Sequence, residues 1–368
     1  MSKIKIGFVG VGAISRIYLE NLTGTFKEVE VIGVCDLIRE RAERAVEKYN
    51  IPKLYNDMYE LFADPEVDIV LNITRPYEHF DVTMEALKAG KHVYSEKPLA
   101  ATLEEGRQIM ALAAEKGLMV GGAPDTFMGA GIQTCRRLIE DGYIGEIIGA
   151  NAQMLCHGHE TWHPDPEFYY KHGGGPIFDM GPYYVTALLN LIGNVEAVYS
   201  MTKRGFNKRT ITSTPHFGEI IDVDVDTHVV GTLRFENGAV ATLVTSFDTY
   251  IGRNLIEIYG TKGTLYVPDP NCFGGPVKLY RPEDGEIREM PLAYRYRDDS
   301  RGLGLADMAK ALQTGRKFRA CSDMTFHALE VMEGLIVSGR EKREVEITSR
   351  FEKKALMEVP SMPGILEA

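Results

Sequence analysis

The chain has 368 residues, 44% of them hydrophobic and 25% charged, with a net charge of −11; that length and apolar content suit two domains better than one. The negative surplus counts against nucleic acid or an anionic membrane as the main partner, and no apolar run approaches the roughly 18–20 residues that span a bilayer. Five scattered cysteines with no CxxC pair make no disulfide framework and point to a reducing cytoplasm.

The first third alternates between two rhythms. "KIKIGFV" (3–9), "VEVIGVCD" (29–36), "VDIVLNI" (67–73), "HVYSE" (92–96) and "LMVGG" (118–122) are β-rich runs, and helical patterns fall near 13–22, 38–49, 77–89 and 102–116. The opening run leads directly into a motif and reads as a first strand, not a signal peptide. Strand–helix alternation predicts βαβ units and a parallel sheet covered on both faces.

Past about residue 123 the rhythm changes. A helix near 129–141, a long strand near 145–157, an irregular stretch at 158–175 and one helix from Pro176 to about Leu191 are expected. Two hairpins follow, "THVVGTLRFENGAVATLVTSF", turning at Asn237-Gly238, and "NLIEIYGTKGTLYV", turning at Thr261–Gly263. Helices near 303–314 and 324–339 come late. The expected fold is an α/β N-terminal domain (1–123) binding a dinucleotide. An α+β domain (124–368) with a large, mostly antiparallel open sheet would bind substrate and oligomerise, because an open sheet needs cover on one face.

"GFVGVGAIS" places Gly10-Val11-Gly12-Ala13-Ile14-Ser15 after the first strand. It is G-x-G-x-x-G with Ser15 in the third glycine's place. The glycines permit a tight turn and a close approach to a pyrophosphate. The helix opening near Ala13 and Ile14 aims free N–H groups and its positive end at that phosphate. Asp36 ends the second strand, 24 residues past Gly12, where a carboxylate meets the adenine ribose hydroxyls and repels a 2′-phosphate. The expected cofactor is therefore NAD in preference to NADP, although Arg39 and Arg41 stand nearby. Thr74, Pro76 and His79, in "ITRPYEHF", end the third major strand, at the carboxyl edge where nucleotides bind.

"SEKPLA" (95–100) follows the fourth of these runs. Pro98 biases Lys97 away from helix and leaves it at the same edge, with Glu96 beside it to orient it. A lysine there can donate to a substrate hydroxyl and favour its anion. "GGGPIFDMGPYY" (173–184) is a glycine hinge, then Pro176 in a first helical turn. Asp179 and Tyr183 stand at i and i+4 on one face. A phenol titrates near 10, and the Lys97 ammonium is expected to lower it toward a useful base. Gly181 inside that helix is expected to make room for cofactor or substrate.

"CHGHETWHPDPEFYYKHGGG" (156–175) holds four of the nine histidines and the single tryptophan. Cys156, His157, His159 and His163 fit no metal motif, so no metal is expected. A polar, aromatic wall suits a sugar, with Trp162 stacking on a ring and His163 bonding hydroxyls. Asp125 lies in "GGAPDTFMGAG", a segment with no arginine to favour a phosphorylated or carboxylated substrate, so Asp125 is expected to face a neutral one.

The glycine loop, strand-ending Asp36, "TRPYEH", "SEKP" and "GGG…D-x-G-x-Y", in this order over residues 3–340, resemble the glucose–fructose oxidoreductase/inositol dehydrogenase/MocA family. The resemblance implies an NAD(P)-dependent dehydrogenase acting on a secondary alcohol of a sugar, glycoside or cyclitol, as a homodimer or homotetramer. Lys97, Asp179 and Tyr183 would be its catalytic residues, in the variant with tyrosine at the last position, and Trp162 and His163 would lie by the substrate. A glycoside-cleaving enzyme that oxidises transiently with NAD, and a non-enzymatic NAD-binding regulator, are the alternatives.

Overall fold

A computed structural model describes residues 2–358 and 364–366. In chain order the first part runs β1 (Ile4–Val9), α1 (Ser15–Gly24), β2 (Val29–Cys35), α2 (Arg39–Tyr49), β3 (Lys53–Leu54), α3 (Met58–Ala63), β4 (Ile69–Asn72), α4 (His79–Lys88), β5 (His92–Ser95), α5 (Leu103–Lys116) and β6 (Val120–Gly122). All six strands pair in parallel in the order β3-β2-β1-β4-β5-β6. β4 is buried along its whole length, as expected of a strand covered on both faces. α5 shows how local chemistry sets the ends: Thr102 and Glu105 form a reciprocal cap, and Gly117 closes the helix in the left-handed region. The chain order reverses between β1 and β4, so the crevice at their carboxyl ends is the nucleotide position of a doubly wound sheet.

The second part runs α6 (Ala130–Glu140), β7 (Ile147–Leu155), α7 (Gly175–Asp179), α8 (Gly181–Leu191), β8 (Val195–Lys203), β9 (Lys208–Thr210), β10 (Ile220–Asp222), β11 (His228–Phe235), β12 (Val240–Ser246), β13 (Arg253–Gly260), β14 (Thr264–Val267), β15 (Val277–Tyr280), β16 (Ile287–Met290), α9 (Leu303–Thr314), α10 (Ser322–Glu341) and β17 (Val345–Glu346). Nine strands form one sheet, β16-β15-β14-β13-β7-β12-β11-β8-β17. Its neighbours are antiparallel except β7 and β12, which run parallel. Both expected hairpins are present, β11–β12 and β13–β14.

Along β11, Val229, Leu233 and Phe235 point into the core while Val230, Thr232 and Arg234 point out. α10 packs on β8 and β11, α7 on β11 and β12, and α6 on β14 and β15, while α8 packs against α10 and α6. The outer face keeps Met201, Val230, Val240 and Ile148 exposed. Glu333 of α10 accepts from the Leu103 amide, and Ala320 bonds Gly122, so the late chain returns to the first sheet. Among the described residues no helix is long and apolar enough to cross a membrane.

One expectation fails here. Residues 176–191 are two helices, not one, broken at Met180. Pro182 has no N–H to bond back one turn, and the Tyr183 amide bonds the Met180 carbonyl instead of the Asp179 carbonyl. Gly181 is also explained differently. A Cβ there would press on Met332 Sδ at 3.1 Å and Ile177 Cδ1 at 3.2 Å, so the glycine serves helix packing, not ligand space.

Candidate active site

The glycine loop takes the shape its sequence requires. Gly10 has φ +91°, and a Cβ on it would lie 2.6 Å from the Ile73 carbonyl oxygen; only glycine fits so close to β4. Gly12, by contrast, faces open space. The exposed residues Ala13 and Ile14 follow it, then α1, which has no acidic residue in its first turn and no side-chain cap. The Ser15 hydroxyl donates to the Gly12 carbonyl at 2.6 Å and pins the turn. An open cradle at a positive helix end, with no acidic residue in the helix's first turn, fits a dinucleotide pyrophosphate. Asp36 lies beside it. Its carboxylate accepts the Val11 amide at 2.5 Å and the Ile38 amide at 2.7 Å, so it braces the glycine loop from the end of β2 while staying partly exposed.

The loop after β4 is wired internally. The Thr74 hydroxyl donates to Asn72 Oδ1 at 2.7 Å, and Pro76, half-buried, opens a single 3₁₀ turn. His79 departs from expectation. It is buried, with Nδ1 2.7 Å from the Pro98 carbonyl and Nε2 3.1 Å from the Thr74 carbonyl. Burial pulls its basicity down. The ring clips the β4 loop to the loop after β5, so it has no nitrogen to offer a cofactor.

The Glu96 carboxylate accepts from the Tyr18 hydroxyl and the Lys97 amide, each at 2.8 Å. It fixes the backbone at Lys97, not the ammonium. That ammonium crosses to the second half of the molecule. Lys97 Nζ donates to Asp179 Oδ1 and to the Asp179 carbonyl, both at 2.7 Å. The broken helix explains the second bond, since the carbonyl that Tyr183 would have taken is left for the lysine. Nζ also sits 5.3 Å from the centre of the Tyr183 ring. Burial alone would lower the lysine, but Asp179, Tyr183 and Glu96 hold it well above its ordinary value. Burial works against the Asp179 charge too, yet Lys97 and His159 keep its carboxyl well below the usual range. The pair is therefore ionised.

Tyr183 corrects another expectation. Lys97 and Arg301 both favour its anion, but burial outweighs them and leaves the phenol above its ordinary value. Arg301, whose charge acts on Tyr183, carried no signal in the sequence. It is positioned by Asn271 Oδ1 at 2.7 Å and Asp299 at 2.6 Å. Asp125 has a different job from the one expected. It is buried, and Oδ2 accepts the Gly302 and Gly304 amides at 2.9 and 3.0 Å. It thus holds the start of α9, next in the chain to Arg301, instead of facing substrate; burial pushes its carboxyl up to about 6.

In the 156–175 segment the histidines diverge. His157 stacks on Tyr250, centroids 3.9 Å apart. His159 puts Nε2 2.9 Å from Asp179 Oδ2, a contact the H-x-H spacing hinted at without locating. His163 accepts the Asp165 amide at 3.0 Å and does not touch the Lys97–Asp179 pair. Trp162 is 61% exposed and lies edge-on to His159. Among the described residues no three His, Cys, Asp or Glu side chains group as a metal site. Buried Arg209 anchors the segment. It bonds Glu160 at 2.8 Å, Asp248 at 2.5 Å and the His157 and Phe247 carbonyls. Arg75 of the β4 loop pairs with Asp165 at 2.9 Å.

Comparison with known proteins agrees with this arrangement. A family model described as an oxidoreductase family with an NAD-binding Rossmann fold matches residues 4–122, and one for the GFO/IDH/MocA C-terminal domain matches residues 132–266. The 1,5-anhydro-D-fructose reductase of Ensifer adhaerens is 30% identical over 267 residues, covering 70% of this chain and 74% of that protein. The D-glucoside 3-dehydrogenase of Escherichia coli K12 is 28% identical over 314 residues, covering 82% and 85%. The fold is shared with levoglucosan dehydrogenase solved with NADH and L-sorbose, at TM-score 0.82, 19% identity, and 95% and 100% coverage. A nucleotide cradle facing an ionised lysine–aspartate pair, on a chain matched in both its halves, identifies a nicotinamide-dependent dehydrogenase acting on CH–OH donors, a member of the Gfo/Idh/MocA oxidoreductase family.

Proposed function

We propose that this enzyme oxidises a secondary hydroxyl of a neutral sugar, glycoside or cyclitol, using NAD in preference to NADP. The observation that carries the reading is the Lys97 ammonium, held by both the side chain and the carbonyl of Asp179 at the carboxyl edge of the parallel sheet. In this reading residues 1–123 hold the dinucleotide and 124–368 the substrate. Gly10, Gly12, Ala13 and Ile14 take the pyrophosphate, and Asp36 the ribose. A bound nicotinamide supplies hydride acceptance.

The chain's own residues set the reacting oxygen. Lys97 donates to it and stabilises charge as its proton leaves, Asp179 keeps the ammonium in place, and Tyr183 bonds the same oxygen from the α8 side. Two charges beside a preorganised oxygen act more strongly in a site screened from water than in bulk. Arg39, one of the two arginines that follow Asp36, is engaged by Glu43 and Asn56, which supports NAD. The named substrates of the relatives, an anhydrofructose and a glucoside, support an uncharged sugar. The exposed outer face of the nine-stranded sheet supports a homodimer or homotetramer, and five free cysteines support a reducing cytoplasm.

The test is production of the reduced dinucleotide across a panel of inositols, aldoses, 1,5-anhydrosugars, glucosides, sugar phosphates and sugar acids, each with NAD and with NADP. Turnover on at least one neutral polyol, faster with NAD, is expected. Turnover confined to phosphorylated or carboxylated substrates would overturn the substrate class.

A further inference from the structure

The lysine, tyrosine and aspartate do not by themselves give the reacting hydroxyl a base. Lys97 is held as an ammonium by its acidic neighbours, and burial keeps the proton on Tyr183. Asp179 is ionised, but its two oxygens are occupied by Lys97 and His159. The remaining side chain bonded to this cluster is His159. Its Nε2 lies 2.9 Å from Asp179 Oδ2. A neutral imidazole facing a carboxylate carries its proton on that nitrogen and leaves the other as a lone pair. Among the described residues Nδ1 has no hydrogen-bond partner.

The ring is fixed in place by apolar walls that do not compete for its proton. Tyr169 lies at 4.3 Å, Phe247 at 4.7 Å and Trp162 at 5.2 Å between centroids, all in edge-to-face contact. The ionisable groups around it are few. Asp179 faces Nε2, with Lys97 behind it. Tyr169 is held protonated by burial, and His163, beyond Trp162, is kept toward its neutral form by burial.

We propose that His159, oriented by Asp179, is the proton acceptor of the oxidation. This rests on the hydride-transfer reading above. The hydroxyl O–H bond breaks and its proton passes to Nδ1, while the O–H electron pair becomes the second carbon–oxygen bond. The C–H bond breaks with its pair, and the hydride goes to an oxidised nicotinamide dinucleotide as the oxidant. The products are a ketone, the reduced dinucleotide and an imidazolium facing the Asp179 carboxylate.

Two measurements test it. Nitrogen-15 NMR of the histidine rings in the ligand-free enzyme, with His159 assigned by its loss in H159N, should show the neutral ring protonated on Nε2. A ring protonated on Nδ1 overturns the proposal. In steady state, H159N should lose about 10²-fold or more in kcat and lose the acidic limb of the kcat/KM profile. NADH affinity, read by fluorescence, should stay within about twofold, and imidazole added to H159A should restore part of the rate. An H159N enzyme with wild-type rate and an unchanged acidic limb sinks this assignment alone. A wild-type enzyme that reduces NAD with no polyol sinks the dehydrogenase reading and this proposal with it. Should the variants fail to fold, His159 is assigned in the wild-type enzyme by through-bond correlation to its backbone, and the ring's tautomer still decides.

Discussion

The carboxyl edge of the first sheet and the wall made by residues 156–183 meet at Lys97, and they are built on opposite principles. The edge works through backbone: a glycine turn, a helix end and an open cradle at Gly12, braced by the side chains of Asp36 and Ser15. The wall works through side chains joined in one network. Lys97, Asp179 and His159 are paired at one end of it, and Arg209, Glu160 and Asp248 at the other. A phosphate can be recognised by amides whose placement is decided within a few residues. Proton chemistry needs charges held a few ångströms apart, and these come from chain positions far from one another.

That contrast can be broken most sharply at its junction. Lys97→Ala should cut kcat by about 10³-fold or more, on the scale of losing one preorganised charge, while NAD affinity, measured by calorimetry, changes only a few-fold. A comparable loss of NAD affinity would mean that edge and wall are not separable.

Arg209→Met probes the anchoring end of the wall. Glu160 and Asp248 would be left as buried carboxylates without their cation, at a cost of about 3–5 kcal/mol. Denaturant unfolding should show that loss, and limited proteolysis should open the 156–175 segment first. Wild-type stability with an intact segment would make the network incidental.

The smallest effect belongs to the edge. Asp36→Ala should weaken NAD by about tenfold, the worth of about 1.4 kcal/mol, and NADP less. Equal losses with both would confine Asp36 to its bonds with Val11 and Ile38.

The edge was also the legible region. Alternating strands and helices, the glycine loop, Asp36 and the lysine before Pro98 could all be placed from neighbours in sequence. Where reading failed, a distant group had intervened. His79 looked available until Pro98 and Thr74 took both nitrogens. Asp125 looked like a pocket residue until the amides of Gly302 and Gly304 claimed it. Tyr183 looked like a base until burial outweighed its cations. Only the break at Met180 was locally readable, from Pro182, and the consequence of that break, a carbonyl freed for Lys97, was not.

By itself the sequence determined the parallel sheet, the glycine turn at its carboxyl edge and the two hairpins, because turn geometry, helix ends and side-chain periodicity are short-range properties. Only the tertiary structure decided which histidine reaches Asp179, that Arg301 meets Tyr183, and which protons stay on. Burial and charge pairing depend on groups that the fold brings together from 20 to nearly 180 residues apart in the chain.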